Sequence, residues 1–561
     1  MQPSDAFWGQ SPGTGTVTLR NDKSTYQNSL LSLIVRTDFK NDFNSSLPII
    51  TTTQLTYDWR KDEYENFFGY ANGFAYPPYN LTNGSTKNSG SYSESFITFG
   101  YLVNQNIDYG TLAGVSFGFR SDYSSEFGFN PDGKIKPFLF PRGTAYFNAG
   151  EIIKSSFAPG IKLRAAYGEA GVQPDRFARQ PVLSGRIFGD IPGLYVPDLG
   201  KNAFLRVQRN KELEVGTDIS LVPSVSEIFL SKIDIGLTYW TRKGLDIIQP
   251  AGSPPSSGSN QLVDNYIELS SNGIELNFDV NAVKLSNFEW NLGLKFSTAE
   301  TIVDKVASGL EVPYGENGTF LIRQGQPLGV FIGQVPITSL DATYPDGTPY
   351  IDPSEQDDYA VVDGQYGKLV IHKTTKVAVL RSSDDKVVMG NPQPKFFGSI
   401  VNDFTLFRKL FINMQWDFMK GNKIYNQTRQ WLYRDRLSKD FDLPLNIDGE
   451  VGAFVTTYNS LYNSVQPTGW FVEDGSFLRL RNLSLSYSLS DVIKWDWVKQ
   501  FSVNFAARNI ITITNYRGLD PESTSTSNAS SAGVSTGPAR GIDSFNFPNL
   551  KSYQLGITIG F

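Results

Sequence analysis

The chain contains no cysteine, which excludes a disulfide framework and any thiolate metal site. A cysteine-free chain also suits passage through an oxidising compartment. There is a single histidine, His372, in the polar stretch KLVIHKTT. Ser-His-Asp, Cys-His and HExxH chemistries each need a histidine beside other catalytic groups, or a pair of them, so catalysis of those kinds is all but removed. An ordinary loop or strand histidine is the plain reading of His372. Charge of one sign is scarce too. Fifty Lys and Arg face 56 Asp and Glu, interspersed, for a net charge of −6, and no basic stripe suggests nucleic acid. No run of about 18 apolar residues is present, so no transmembrane helix is expected. The opening residues MQPSDAFWGQSPGTG have neither a basic n-region nor an apolar h-region, so no signal peptide is expected. No repeat at a solenoid or propeller period stands out.

What is abundant points to β-structure. Aromatics are 14% of 561 residues, with 40 Phe, 27 Tyr and 9 Trp, and there are 51 Gly. Rings and turn residues suit strands joined by many turns better than a helical bundle. Length alone would suggest several domains, yet the chain offers no obvious place to cut it.

The recurring signal is period-two alternation, the mark of a strand with two different faces. Leu213, Val215, Ile219 and Leu221 share one face, opposite Glu212, Glu214, Asp218 and Ser220. The same pattern holds for Ile233–Tyr239, Ile274–Val280, Phe288–Phe296, Leu410–Phe418 and the terminal Tyr553, Leu555, Ile557, Ile559 and Phe561. Less regular candidates lie at 28–39, 48–60, 94–104, 111–122, 138–149, 161–169, 396–406, 483–489 and 501–513. The total is about fifteen strands. The polar faces carry carboxylates, amides, Lys and Gly, as a wet lumen requires, and rings sit at the ends of apolar faces. A nine-residue strand spans roughly 26–27 Å, and tilted by ~40° it covers about 20 Å of depth, close to the ~25 Å apolar band of an outer-membrane barrel. A soluble sandwich would more often centre its large rings. The expected fold is therefore all-β, an antiparallel transmembrane β-barrel.

Connections alternate in length. NPDG (130–133), FAPG (157–160) and the turn at Ser286-Asn287 are short; 61–92, 172–210, 300–395, 424–470 and 514–549 are long and polar. Short periplasmic turns and long extracellular loops belong to such barrels. The Ser/Thr-rich stretch 523–532 reads as a loop tip.

Several phrases, in order and over most of the chain, resemble the SusC/RagA family of TonB-dependent outer-membrane transporters of Bacteroidetes-type bacteria. FVEDGSFLRLRNLSLSYSL (471–489), NFAARNIITITNYRGLDPE (504–522) and KSYQLGITIGF at the C-terminus carry the resemblance best. FRSDYSSEFG (119–128), FLFPRGTAYFNAGE (138–151), IKLRAAYGEAGV (161–172), SSNGIELNFDV (270–280), IRQGQPLGVFIGQ (322–334) and MGNPQPKFFGSIVNDFT (389–405) add to it. The resemblance implies a plugged barrel of about 22 strands, of which residues 1–561 would supply the C-terminal portion, without plug, TonB box or N-terminal extension. Closure into a smaller barrel is the alternative. It further implies an outer-membrane location, uptake of glycan fragments or peptides, capping by a SusD-like surface lipoprotein, and energy from TonB–ExbB–ExbD through the plug. Phe561 resembles the terminal aromatic read by the barrel-assembly machinery, and is also a girdle residue. A passive porin-like channel and a soluble, secreted β-rich carbohydrate-binding protein are the rival readings. No enzyme is expected.

Substrate would be met by loop aromatics: Phe74, Tyr76 and Tyr79 in GFAYPPYN, Tyr425, Trp431 and Tyr433 in IYNQTRQWLYR, and Trp470. Self-packing of loops is the commoner role of such rings. The acidic segment 341–364 gathers Asp341, Asp346, Asp352, Glu355, Asp357, Asp358 and Asp363, oxygen donors of the kind Ca²⁺ takes. Asp346, Asp352, Asp357 and Asp358 are the candidate ligands, but D-x-[DN]-x-[DN]-G spacing is not met, and a solvated acidic loop is favoured. No other cofactor is expected. In EDGSF, Glu473-Asp474-Gly475-Ser476 reads as a turn in which Gly supplies φ > 0.

Overall fold

Alternation in the sequence becomes strands wherever it was expected. In a computed structural model, residues 15–561 are described except 75–76, 128–136, 175–177, 181–182, 189–190, 197–198, 224–227, 255, 257, 308–310, 316–317, 465, 492–494, 496, 523–529, 532–533 and 536–539. NPDG (130–133), Tyr76 and most of 523–532 lie outside the described residues. The long strands are β1 Thr16–Asp38, β2 Ile49–Asn72, β3 Thr86–Tyr109, β4 Ala113–Ser124, β5 Phe138–Asn148, β6 Gly160–Val172, β7 Gln208–Leu221, β8 Phe229–Gly252, β9 Gln261–Lys284, β10 Phe288–Ser297, β11 Phe396–Leu406, β12 Leu410–Lys420, β13 Phe477–Ser488, β14 Gln500–Thr514 and β15 Ser552–Gly560. Each overlaps one segment read from the sequence, though β1–β3, β8 and β9 run about ten or more residues past it.

The chain forms two compact units. The first comprises Met1–Gly110, Gly114–Thr144 and Gly168–Val207; the second Thr111–Ala113, Ala145–Tyr167 and Gln208–Phe561. In the first, β1, β2 and β3 are antiparallel neighbours in unbroken register, from Thr16 opposite Asn72 to Asp38 opposite Ile50, and from Asn72 opposite Thr86 to Ile49 opposite Tyr109. In the second, β7 through β15 pair each with the next. The segment Glu300–Val306 runs beside the upper half of β9.

The register sorts the two faces. Ile235 sits opposite Phe278 and Leu237 opposite Leu276, so apolar residues form rows across strands. On β15, Tyr553, Leu555, Ile557 and Phe561 are 67%, 76%, 64% and 72% exposed. These faces do not pack on a second sheet, as a soluble sandwich would demand; they are the faces that acyl chains cover. The opposite face is tied by hydrogen bonds between side chains. Arg164 reaches Asp218 (3.2 Å) and donates to Thr238 Oγ1 (2.6 Å). Arg60 and Arg120 both bind Asp58, at 2.7 and 2.9 Å. Asn482 donates to Asn413, and Asn413 donates to Asp403, at 2.7 Å each. No helix among the described residues is long and apolar enough to cross a membrane.

One loop expectation fails. Residues 61–92 are mostly strand, not loop: β1 has 23 residues and β2 and β3 have 24 each. At ~3.3 Å per residue they reach about 75–80 Å, while a ~25 Å band crossed at ~40° needs only about ten residues. The remainder stands in water on both faces. Polar residues such as Lys61, Asp62, Glu63 and Glu65 therefore occur where lipid selects nothing, and the greasy alternation that marks a membrane strand is lost.

At the end with short turns, the rings of Trp495, Trp497 and Phe561 stack face to face, 5.5 and 5.4 Å apart and within 10° of parallel. Phe561 thus continues the exposed column of β15, as a girdle ring does. An arginine at Ile557 should cost about 2–4 kcal/mol of folding stability, and one at the inward-facing Gln554 under about 1 kcal/mol. Denaturant unfolding in phospholipid vesicles measures both.

Candidate functional site: a loop cap fastened to a polar strand face

The described residues of three long connections of the second unit, within 298–395, 421–476 and 515–551, pack into one cap. Its sheet elements are short: Val312–Tyr314, Phe320–Ile322, Val330–Gly333 and Val387–Gly390 form one ladder, while Lys423–Asn426 pairs with Val472–Asp474 and, in parallel, with Ile542–Asp543. The helix Gln427–Arg434 starts at Asn426, whose side chain accepts the backbone N–H of Arg429 (2.9 Å), the usual helix N-cap bond. A core of Phe320, Phe331, Leu369, Tyr425, Tyr433, Tyr458 and Phe471 fills the space between.

Arg429 is the centre of that core. Its side chain is only 7% exposed. Nε donates to Asp440 Oδ2 (2.7 Å), Nη1 to the Trp470 carbonyl (3.0 Å) and to Glu473 Oε1 (3.3 Å), and Nη2 to the Tyr433 hydroxyl (3.1 Å). The guanidinium lies against the rings of Tyr366, Tyr433, Phe471 and Trp470 at 4.8, 5.2, 5.4 and 5.8 Å. Delocalised charge and a planar fork fit this setting, where a lysine would leave donors and faces unmatched. Tyr433 donates to Asp440 (2.7 Å) and accepts from Trp470 Nε1 (2.9 Å). Burial first, with Asp440 adding to it, drives the Tyr433 hydroxyl well above its ordinary pKa. Burial alone would raise Asp440, but Arg429 and the hydroxyls of Tyr433 and Tyr366 outweigh it and hold the carboxylate ionised below its usual range. Arg517 joins from the last connection, 3.3 Å from Glu473 and 3.7 Å above the Tyr366 ring.

A second clamp fastens the cap to the strands. A β-bulge leaves Arg481 unpaired between Leu480 and Asn482 and switches the apolar row from Leu478 and Leu480 to Leu483 and Leu485, so Arg481 joins both Arg479 and its own neighbour Asn482 on the polar face. Arg479 grips Asp520 and Glu522, and Arg481 grips Glu522, Asp417 and Asn509. These are the RLR of FLRLRNLS and the DPE of YRGLDPE. The EDGSF turn is architecture: Asp474 Oδ1 accepts the Ser476 N–H (3.1 Å) and hydroxyl (2.6 Å). Gly475 is needed for closeness and not for the φ > 0 expected of it. It is not among the glycines at positive φ, and a Cβ there would stand 2.3 Å from the Asn422 amide.

The ring candidates fall into different places. Tyr425, Tyr433 and Trp470 are 2%, 0% and 7% exposed inside the cap core, so their faces are taken by Arg429 and by each other and are closed to a sugar. Trp431 is half-buried under the Arg434 guanidinium, 4.2 Å away. Phe74 is buried and meets the exposed Tyr79 edge-on at 5.8 Å. The acidic candidates do not converge. Asp346 accepts the Thr348 N–H (2.9 Å), Asp352 accepts the Ser354 N–H (2.9 Å), and Asp357 and Asp358 lie in the turn Gln356–Asp358. No group of three or more candidate ligands comes together among the described residues, which withdraws the Ca²⁺ suggestion for this loop. His372 Nδ1 accepts the N–H groups of Thr374 and Thr375, a local turn role. The Arg429 cage and the Arg479–Arg481 clamp were missed, because their carboxylate partners are 11 to 64 residues away and no spacing rule links them.

Lipid-facing strands with a hydrogen-bonded polar face and one long-loop end define an outer-membrane β-barrel. No family model matches the chain. It is 23% identical over 533 residues to TonB-dependent receptor P3 of Formosa agariphila, covering 90% of this chain and 50% of that protein. It is 23% identical over 412 residues to TonB-dependent receptor SusC of Bacteroides thetaiotaomicron, covering 72% of this chain and 37% of that protein. The solved RagAB peptide importer in its open-open state superposes with a TM-score of 0.72 at 18% identity, over all of this chain and 57% of that one. The chain is thus similar in sequence and fold to TonB-dependent outer-membrane transporters of the SusC/RagA type, and spans half or less of the length of these two curated relatives.

Replacing Arg429 with Met should loosen the cap by about 3–5 kcal/mol, since Asp440 would be left buried without its cation. Faster hydrogen exchange across 421–476, with β7–β15 unchanged, is the expected reading. Because the pKa of Asp440 is lower folded than unfolded, its stabilisation is complete above the unfolded value of about 3.9 and is lost as pH falls through the folded one. Limited proteolysis of the cap should therefore be unchanged from pH 8 to 5 and accelerate in strong acid.

Proposed function

We propose that this chain is the barrel of an energy-coupled importer that brings glycan fragments or peptides across the outer membrane. A SusD-like lipoprotein would deliver cargo from the surface, and TonB–ExbB–ExbD would supply the work through the plug region of the whole transporter. One observation carries the reading. Three connections are locked into a cap by Arg429 and fastened to the polar strand face by Arg479 and Arg481. A passive pore needs no such investment at its entrance, whereas a gated importer needs ordered loops that engage cargo and partner. The polar face, dense in carboxylate, amide and hydroxyl groups, gives a hydrophilic solute a wet path. Binding and passage, not bond-breaking, are the chemistry this supports.

Uptake by cells carrying the full transporter tests it. Labelled oligosaccharide and peptide pools should accumulate with the proton-motive force intact and fall at least about tenfold when it is collapsed. Flux that is indifferent to the proton-motive force would replace the importer with a diffusion channel.

A further inference from the structure

The strands β1–β3 change the face on which they carry rings. In the membrane-crossing part, the rows Leu33–Leu55–Val103 and Leu31–Tyr57–Tyr101 lie on one face, and Thr56, Asp58 and Asn104 lie on the other, polar one. No register shift interrupts either pairing, so odd and even positions keep their sides to the tips. Beyond the membrane the rings move to the even positions: Tyr26, Tyr64, Phe68, Tyr70, Tyr92 and Phe96. The odd face there, from Val17 to Thr25, Lys61 to Ala71 and Lys87 to Ser95, holds Phe67 alone among aromatics. Lipid cannot cause this inversion, because the rings continue the pore-side face and not the lipid side.

Their surroundings are also selective. Over 18–26, 62–70 and 88–96, the even face contains no Leu, Ile, Val or Met; between the rings stand Asp22, Ser24, Asp62, Asn66, Asn88 and Glu94. Tyr64 donates to Asp22 Oδ1 (2.6 Å), Asn66 donates to the same oxygen (2.6 Å), and Arg20 binds Asp22 (2.8 Å). Tyr64 and Tyr92 meet edge-on at 6.1 Å, and Tyr26 is 76% and Tyr92 50% exposed. Cross-strand ring pairs do help a free-standing hairpin, but stabilisation alone would use either face.

We infer that this even face is a binding wall for neutral oligosaccharides, a reading that rests on the importer function proposed above. A pyranose ring offers C–H faces to aromatic rings and hydroxyl edges to carboxylates and amides, and this surface supplies both and little else. Three carboxylates against one guanidinium disfavour uronates and sulfated sugars. A peptide would call for aliphatic pockets for alternate side chains, and the wall has none.

The protein in detergent, presented with an array of neutral hexasaccharides (glucans, mannans and xylans), uronate-bearing counterparts and oligolysine, tests the inference. Neutral glycans should bind, and the triple variant Tyr64→Ala, Phe68→Ala, Tyr92→Ala should lose about thirtyfold in affinity. The pair Tyr64→Phe, Tyr92→Phe keeps the rings and should bind within a fewfold of the parent, which separates stacking from mere loss of structure; Phe67→Ala should change nothing. Binding of no neutral glycan, preference for oligolysine, or unchanged affinity in the triple variant would overturn the wall. In the uptake assay, a triple variant that imports neutral glycans like the parent removes the wall and leaves the importer standing. Flux without energy coupling removes the importer itself.

Discussion

A β-strand turns successive side chains to opposite sides, and this chain uses that to meet two solvents with one backbone. Ladder bonds between neighbouring strands satisfy the backbone groups that point at one another, as hydrocarbon requires. The side chains then divide without compromise. Rows such as Leu237 beside Leu276 meet lipid, and rows such as Asp403 beside Asn413 hydrogen-bond in water. A one-residue slip would exchange the two solvents for an entire strand. Register is therefore the quantity the sequence guards most closely, and the bulges occur where an extra residue gives something back. The bulge at Arg481 is the clearest case, since it lets Arg481 and the adjacent Asn482 share the polar face, where Arg481 beside Arg479 anchors the last connection.

The cap obeys a different economy. Short strands and a two-turn helix cannot hold three connections of these lengths by backbone pairing alone, and the core around Tyr425, Tyr433 and Phe471 is small. Arg429 supplies the missing specificity: its fork and its two faces are satisfied only when residues from the first two connections are in place, and Arg517 of the third closes the set on Glu473 and Tyr366. A buried ion pair of this kind adds little net stability compared with a well-packed apolar substitute. What it enforces is a single arrangement, because any other packing strands a charge.

How much of this was legible in advance follows from the range of the interactions. Period two is local, so all fifteen long strands were found where the pattern lay, down to Tyr553–Phe561. Loop contacts are not local. Tyr433 and Trp470 read as open rings because the sequence holds no sign that Arg429 and Asp440 would enclose them. The hairpin beyond residue 60 read as loop because the rule used to find strands was an apolar rule, and Asp62, Tyr64, Asn66 and Phe68 are neither greasy nor irregular. Asp346 and Asp352 read as possible ligands because composition gathers carboxylates that the turns at Thr348 and Ser354 then occupy one by one.

That last distinction bears on how a face should be interpreted once lipid stops selecting it. In the membrane band, an aromatic residue on the outward side needs no further explanation, since partition into acyl chains or their boundary accounts for it. Above the band, both sides of β1–β3 meet water, and the free energy of exposing a ring is the same on either. A uniform solvent cannot generate a one-sided pattern. The concentration of rings on the even positions, continuous with the face that carries Asp58 and Asn104, therefore requires something that approaches from that side alone. The absence of aliphatic residues from the same surface narrows what approaches. Burial of a greasy partner would recruit Leu, Ile and Val as readily as Tyr and Phe, whereas flat rings alternating with hydroxyl, amide and carboxylate groups suit a ligand that is itself apolar on its faces and polar along its edges.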